Sequence, residues 1–281
     1  MMVRGREVVT MPEARSPKIE FADVSLVYHD GSQTNEVLHA MNFSVAPGEF
    51  VSIIGASGCG KSTTLSILAG LQEPSSGHYY IDGRESHGTG RNRGVVFQHY
   101  ALFPWMTAKA NVAFGARQAQ PDLASREAGQ RACEYLSRVG LAGAENRYPY
   151  QMSGGMQQRT AIARLLAMSP EILLLDEPFG AVDAKNRMQL QDLLQELLLQ
   201  EQRRKTIVLV THDIDEAILL SDRVFFMDKQ KIAEEFTVPF ARPRRREQIV
   251  LTEAYRQLSQ SILSCFFRTI GEQIGGEEVV I

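Results

Sequence analysis

Short apolar runs rich in Val, Ile and Phe occupy residues 18–54: IEFADVSLVY, VLHAMNFSV and EFVSIIG. Each is bounded by Gly, Asn or Pro and reads as a β-strand. The segment DGSQTNE around Gly31 reads as a loop of turn-forming residues. From Lys61 the apolar spacing turns helical, with Leu65, Leu68 and Ala69 on one face and Gly70 as the stop. Residues 107–165 predict mostly helix. In SREAGQRACEYLSRVG, Ala128, Ala132, Leu136 and Val139 recur at helix spacing, with Ser125 as N-cap and Gly140 at the end. MQQRTAIARLLAMSP predicts a further helix. EILLLDEP and TIVLVTHD are apolar runs too short for helices, and the helical stretches NRMQLQDLLQELLLQEQ and IDEAILLSD follow them. Apolar strands without alternation, set between helices, predict an α/β chain whose parallel sheet is covered on both faces. Residues 239–281 are less patterned. They predict one helix near 249–264 and a solvated basic run at Arg242, Arg244, Arg245 and Arg246, with a lipid-headgroup or partner contact as the alternative.

Composition narrows the function classes. Hydrophobic residues make up 44% and charged residues 22% of the 281, which predicts a globular chain of one large or two small domains. The net charge of −3 argues against holding nucleic acid by bulk charge. Cys59, Cys133 and Cys265 lie far apart with no CxxC pair, against a zinc ribbon or a disulfide framework; Cys133 and Cys265 are expected to be structural. No run of about 18 apolar residues predicts a membrane-crossing helix. Residues 1–17 read as a loose arm without the apolar core of a secretory signal, so work at a membrane would go through partners.

The chemistry lies in three strings. GASGCGKS, Gly55 to Ser62, fits G-x-x-x-x-G-K-[ST] between a predicted strand and a predicted helix. Gly55, Gly58 and Gly60 let the backbone curl until successive N–H groups point at phosphate oxygens. The helix start adds its positive dipole end. Lys61 would bring an ammonium to the terminal phosphates, and the Ser62 hydroxyl a ligand for Mg²⁺. ILLLDEP puts Asp176 and Glu177 at the carboxyl end of a buried strand, where open α/β sheets bind ligands. Asp176 is suited to the magnesium shell and Glu177 to poising a water as general base. In MSGGMQQR, Ser153, Gly154 and Gly155 open a helix: either a second anion-receptive N-terminus or a plain Ser N-cap before two glycines.

This ordered set, closed by THD, resembles the ATP-binding subunit of an ABC transporter over residues 18–238. The resemblance implies a P-loop NTPase fold of ABC type: an ATPase core with a parallel sheet, an N-terminal antiparallel β portion and a helical subdomain inserted at about 99–165. Residues 239–281 form a C-terminal extension. It implies ATP and Mg²⁺ as ligands, with Gln98 as the Q-loop glutamine that also reaches the metal, Asp183 as the D-loop aspartate and His212 as the switch histidine beside the base Glu177. Tyr28 matches the aromatic that stacks on adenine, and Gly55, Ser57, Gly58, Cys59, Gly60, Lys61, Ser62 and Thr63 match the phosphate loop. Read alone, Tyr28 is an ordinary strand aromatic, Gln98 a surface amide, His212 a packed histidine or cap, and Asp183 an N-cap. Cys59 either faces the nucleotide with a lowered thiol pKa or points into the sheet.

The resemblance also implies assembly. Two copies pair head to tail, Ser153, Gly154 and Gly155 of each completing the other's site. Two transmembrane permease subunits and a solute-binding protein join the complex on the cytoplasmic face of the inner membrane, with no nucleic acid. Met152 and Met156 depart from the family's Leu-Ser-Gly-Gly-Gln; the first is a volume-conserving swap, and the second removes an amide. ALFPWMTAKANVAFG resembles the subgroup importing nitrate, taurine and aliphatic sulfonates, with Leu102, Phe103, Pro104, Trp105 and Met106 either core or a docking patch for a permease. The alternatives are a soluble ABC-type ATPase of DNA repair or translation, and a simple P-loop kinase. The near-neutral charge weighs against the first, and the Ser-Gly-Gly and THD elements against the second.

Overall fold

In the computed structural model, residues 16–275 are described except Ser32, His99, Tyr100, Ala181 and Gln202; most of the expected N-terminal arm and the last six residues lie outside that range. The first two apolar runs form the antiparallel strands β1 (Ile19–Asp30) and β2 (Gln33–Val45). The expected loop over DGSQTNE shrinks to a tight turn, because the ladder runs on through Tyr28 opposite Asn35 to Asp30 opposite Gln33. With β4 (Ser76–Ile81) and β5 (Arg84–Glu85) they make a four-stranded antiparallel sheet in the order β2-β1-β4-β5.

A second sheet holds the motifs. Its order is β10-β9-β3-β8-β7-β6, built from β3 (Phe50–Gly55), β6 (Arg93–Val96), β7 (Ile172–Asp176), β8 (Thr206–Val210), β9 (Arg223–Asp228) and β10 (Lys231–Thr237). Five strands run parallel, and β10 returns antiparallel at the edge. Alternation along the strands sorts the core in two. Phe50, Ile54, Leu173, Leu175, Ile207 and Leu209 face the helices, whereas Val51, Ile53, Ile172, Leu174, Val208 and Val210 face the antiparallel sheet and α1 (Lys61–Ala69). Both faces are therefore buried, as runs without polar alternation require. Each fully buried Leu or Ile contributes about 1.5–3 kcal/mol.

Over the stretch expected as a helical subdomain, α2 (Ala108–Ala119), α3 (Ser125–Arg138) and α4 (Gly154–Met168) pack on one another. Ser125 is the first residue of α3 and does not cap it; the N-cap position falls on Ala124, with no side-chain cap bond. Downstream come α5 (Ala184–Leu199), α6 (Ile214–Leu220), the single turn α7 (Arg246–Ile249) and α8 (Glu253–Gly275). α8 outruns the helix expected near 249–264. The basic run is only partly a solvated surface: Arg245 is exposed, but its neighbours are drawn into the fold. Arg244 is 3% exposed, and its guanidinium donates to the carbonyls of Phe240, Ile218, Leu219 and Ser221, while Arg242 pairs with Asp222 at 2.7 Å. Burial pushes the Arg244 guanidinium down to about 10. None of the described helices is long and apolar enough to cross a membrane.

Candidate functional site: a phosphate loop and the acids beside it

Register brings the site together. β3, β8 and β7 are parallel neighbours, Ile53 pairing with Val210 and Val210 with Asp176, so three carboxyl ends share one edge. The loop from Gly55 to Gly60 leaves that edge and enters α1. Gly60 sits at the helix N-cap with φ 105° and Gly58 at φ 80°, conformations that L side chains rarely adopt. The Lys61 side chain folds back over the loop, its ammonium donating to the carbonyls of Gly55 and Ala56 at 2.8 Å each. Ser57, Gly58, Gly60, Lys61, Ser62 and Thr63 line one cleft with Val37 of β2 and Glu177.

Across the cleft the Ser62 hydroxyl donates to Asp176 at 3.0 Å. Burial raises the Asp176 carboxyl above the usual range, against the lowering by the Ser62 hydrogen bond. Among the described residues no group of three or more His, Cys, Asp or Glu could hold a metal ion. The Ser62 and Asp176 oxygens are hard donors that fit Mg²⁺, which keeps most of its water and takes one or two protein oxygens beside phosphate.

Glu177 has φ 43°, uncommon for a residue with a Cβ, and its N–H donates to the Val210 carbonyl at 2.9 Å. Its carboxylate accepts from Gln98 Nε2 at 3.3 Å and lies 3.5 Å from His212 Nδ1. Gln98 reaches it from just beyond β6, and His212 from the turn after β8. Asp176, Glu177, Gln98, His212 and the loop thus form one constellation.

The other expected residues stand apart from it. Ser153 caps α4, its hydroxyl accepting from the Met156 N–H at 3.3 Å, with Gly154 exposed and Gly155 half-buried. Met152 is buried, whereas Met156 packs against the edge of the core. Asp183 caps α5 by accepting from the Asn186 N–H at 3.0 Å, which holds its carboxyl below the usual range. Tyr28 is exposed on β1, opposite Asn35 of the strand that brings Val37 to the cleft. Cys59 packs against the core between the sheets, and burial raises its thiol pKa, the dominant influence over nearby Lys61. The thiol therefore takes the second of the two orientations read from sequence. Trp105 is 70% exposed and tilts against the half-buried Phe103 at 5.6 Å.

The sequence reading missed Glu216. It is 4% exposed, accepts from the Thr211 hydroxyl at 3.1 Å, and is pushed up to about 8 chiefly by burial. A carboxyl one turn into a helix, three residues after the Asp213 cap, was the available signal.

The ABC transporter family matches residues 38–180. The nitrate import ATP-binding protein NrtD of Synechococcus elongatus is 42% identical over 262 residues, 92% of this chain and 89% of that protein. The bicarbonate transport ATP-binding protein CmpD of the same species is 41% identical, over 92% of this chain and 94% of that protein. A dimeric ATP-binding cassette in a post-hydrolysis state, bound to ADP and Pi, superposes with a TM-score of 0.72 at 35% identity, covering 79% of this chain and all of that one.

Proposed function

This chain belongs to the ABC transporter family as an ATP-binding, ATP-hydrolysing subunit, and from that premise we propose that it powers import of a small oxyanion such as nitrate or bicarbonate. The observation that carries the catalytic reading is the convergence of Gln98 and His212 on Glu177 at the rim of the phosphate-loop cleft. The solute reading rests on the two relatives named for nitrate and bicarbonate, and on the resemblance of the Leu102–Met106 segment to the importer subgroup.

The geometry around the phosphate loop and Glu177 supports the central roles, and the family resemblance supplies the rest. Backbone N–H groups from Gly58 to Ser62 take the phosphate oxygens at the α1 dipole. Lys61 exchanges its two loop carbonyls for the terminal phosphates, a charge-assisted replacement. Ser62 and Asp176, with Gln98, would hold Mg²⁺, which would supply neutralisation of the phosphate charge. Glu177 takes the proton of the attacking water, and His212 orients beside it. Tyr28 offers its ring to the adenine. Ser153, Gly154 and Gly155 serve a second copy's nucleotide head to tail, and Asp183 lies at that junction. Dimeric cassettes among the similar structures support the pairing. Two permease subunits, a solute-binding protein and a position on the cytoplasmic face complete the assembly.

Glu177→Gln tests the catalytic core, because the amide keeps the volume and both polar neighbours but cannot accept the proton. ATP affinity should be retained while kcat falls about 10²-fold or more. Hydrolysis at the wild-type rate would remove Glu177 from the chemistry. For the solute, co-expression with a candidate permease and labelled nitrate or bicarbonate uptake distinguishes the two anions.

A further inference from the structure

The segment after β10 reaches back to the two helices that follow Asp183 and His212. At the C-terminal end of α6, Arg244 satisfies carbonyls that the helix leaves unpaired: Nη1 takes Ile218 at 3.0 Å, Leu219 at 3.2 Å and Ser221, while Nε takes Phe240 at 2.9 Å. Its backbone is fixed to α5 in both directions. The Arg244 N–H donates to Gln195 Oε1 at 2.9 Å, and Gln195 Nε2 returns a bond to the Arg244 carbonyl at 3.2 Å. Arg246 adds a bond to Gln191 at 2.6 Å, one turn earlier on α5.

The N-terminal end of α6 is held as well. The Tyr255 hydroxyl of α8 donates to Asp215 in the first turn of α6, from a site only 6% exposed. Asp213 caps α6 through the Glu216 N–H at 3.0 Å and meets Arg187 of α5 at 3.3 Å. Thr211 closes the turn, accepting from the Asp213 N–H and donating to Glu216, each at 3.1 Å. His212 sits inside this ring of bonds. Its own side chain is 61% exposed and has only Glu177 as an ion-pair neighbour among the described residues. The position of its imidazole is therefore inherited from the turn, and the turn from α6.

We propose that residues 242–255 are a clamp on the α5–α6 pair that sets the aim of His212 at Glu177, with Tyr255 as a positioning residue acting through Asp215. The inference rests on the catalytic reading of Glu177 and His212. It gives the C-terminal extension a part in ATP turnover at a distance from the nucleotide. A partner that pulls on this segment would alter the turnover rate without touching the phosphate loop.

Arg244→Met would remove the guanidinium and leave the carbonyls of Phe240, Ile218, Leu219 and Ser221 without that donor at once, risking unfolding of the lobe, so Tyr255→Phe, which removes one hydroxyl, is the primary variant. The full-length protein is compared as wild type, Tyr255→Phe, His212→Ala and the double variant. Tyr255→Phe should lower kcat roughly three- to tenfold, since small misplacements of an orienting group are felt strongly. KM for ATP should stay within about twofold, because no phosphate contact changes. Amides of residues 213–217 should exchange faster in the nucleotide-free protein. In the His212→Ala background Tyr255→Phe should cost nothing further. Additive losses in kcat, or unchanged exchange at 213–217, would overturn the clamp. A His212→Ala protein as active as wild type would instead sink the catalytic reading, and amide exchange would then decide the clamp alone.

Discussion

Adding one methyl group to the phosphate loop separates backbone strain from steric contact at two glycines two residues apart. At Gly58 (φ 80°) a Cβ would have nothing within 4 Å, so alanine there suffers only the left-handed backbone, about 1–2 kcal/mol. At Gly60 (φ 105°) a Cβ would stand 2.7 Å from the Val37 carbonyl oxygen, 2.7 Å from Leu38 Cδ2 and 2.8 Å from Met227 Cε. The two side-chain tips can turn aside, but the carbonyl belongs to the β2 backbone and cannot. Overpacking of that kind adds about 1–3 kcal/mol. Gly60→Ala should therefore be less stable than Gly58→Ala by about 2 kcal/mol, or roughly 3–4 °C in Tm for a chain of this size. Urea and thermal unfolding of the two purified variants measure the difference, and calorimetric titration with ATP follows the function. Gly60→Ala should also bind ATP more weakly than Gly58→Ala, since the clash lies at the N-cap that aims the α1 amides. Equal midpoints for the two variants would refute the close approach of β2 to the loop.

Three further outcomes are expected. Glu216 is protonated in the fold up to about 8, whereas in the unfolded chain it ionises in the ordinary glutamate range; between those values the unfolded state binds fewer protons and stability falls as pH rises. Glu216→Gln should flatten that decline in a pH series of urea unfolding curves, and an unchanged slope would mean that the carboxyl is ionised in the fold. Trp105 is the one tryptophan of the sequence and is largely exposed, so its emission in the isolated subunit should be red-shifted and quenched by iodide; a blue, unquenched emission would put it in the core. Mixed dimers joining a Ser153→Ala chain to a Lys61→Ala chain should keep at most one composite site, and full-rate hydrolysis by highly diluted single chains would end the head-to-tail arrangement.

The sequence revealed most where one residue type does one physical job. The runs around Ile53, Leu174 and Val208 are apolar without alternation because both faces of their sheet are buried, and that pattern has few other causes. The glycines of the phosphate loop and the acids after β7 were legible for the same reason. The hairpins at β4–β5 and β9–β10 were not. In β4 only Tyr79 and Ile81 are buried, too few to set a period, and β10 alternates half-buried and exposed positions at the sheet edge. Asp82-Gly83 between β4 and β5 was the one turn signal available there.

Arg244 shows a deeper limit. A basic run is read by counting charges, yet the guanidinium of Arg244 is satisfied mainly by main-chain carbonyls, which every residue owns and no sequence marks. Its nearest acid, Asp222, lies 3.7 Å away and lies 22 residues earlier in the chain. Asp183 is the opposite case. A carboxylate just ahead of a helical stretch reads at once as a cap, and it is one, but that reading is silent about any second task at a dimer junction. Local chemistry thus identifies the caps and loops, while the long-range hydrogen bonds that aim them emerge only from the folded chain. His212 stands between the two: its motif announces it, and the bonds from Thr211, Arg187 and Tyr255 around it decide where it points.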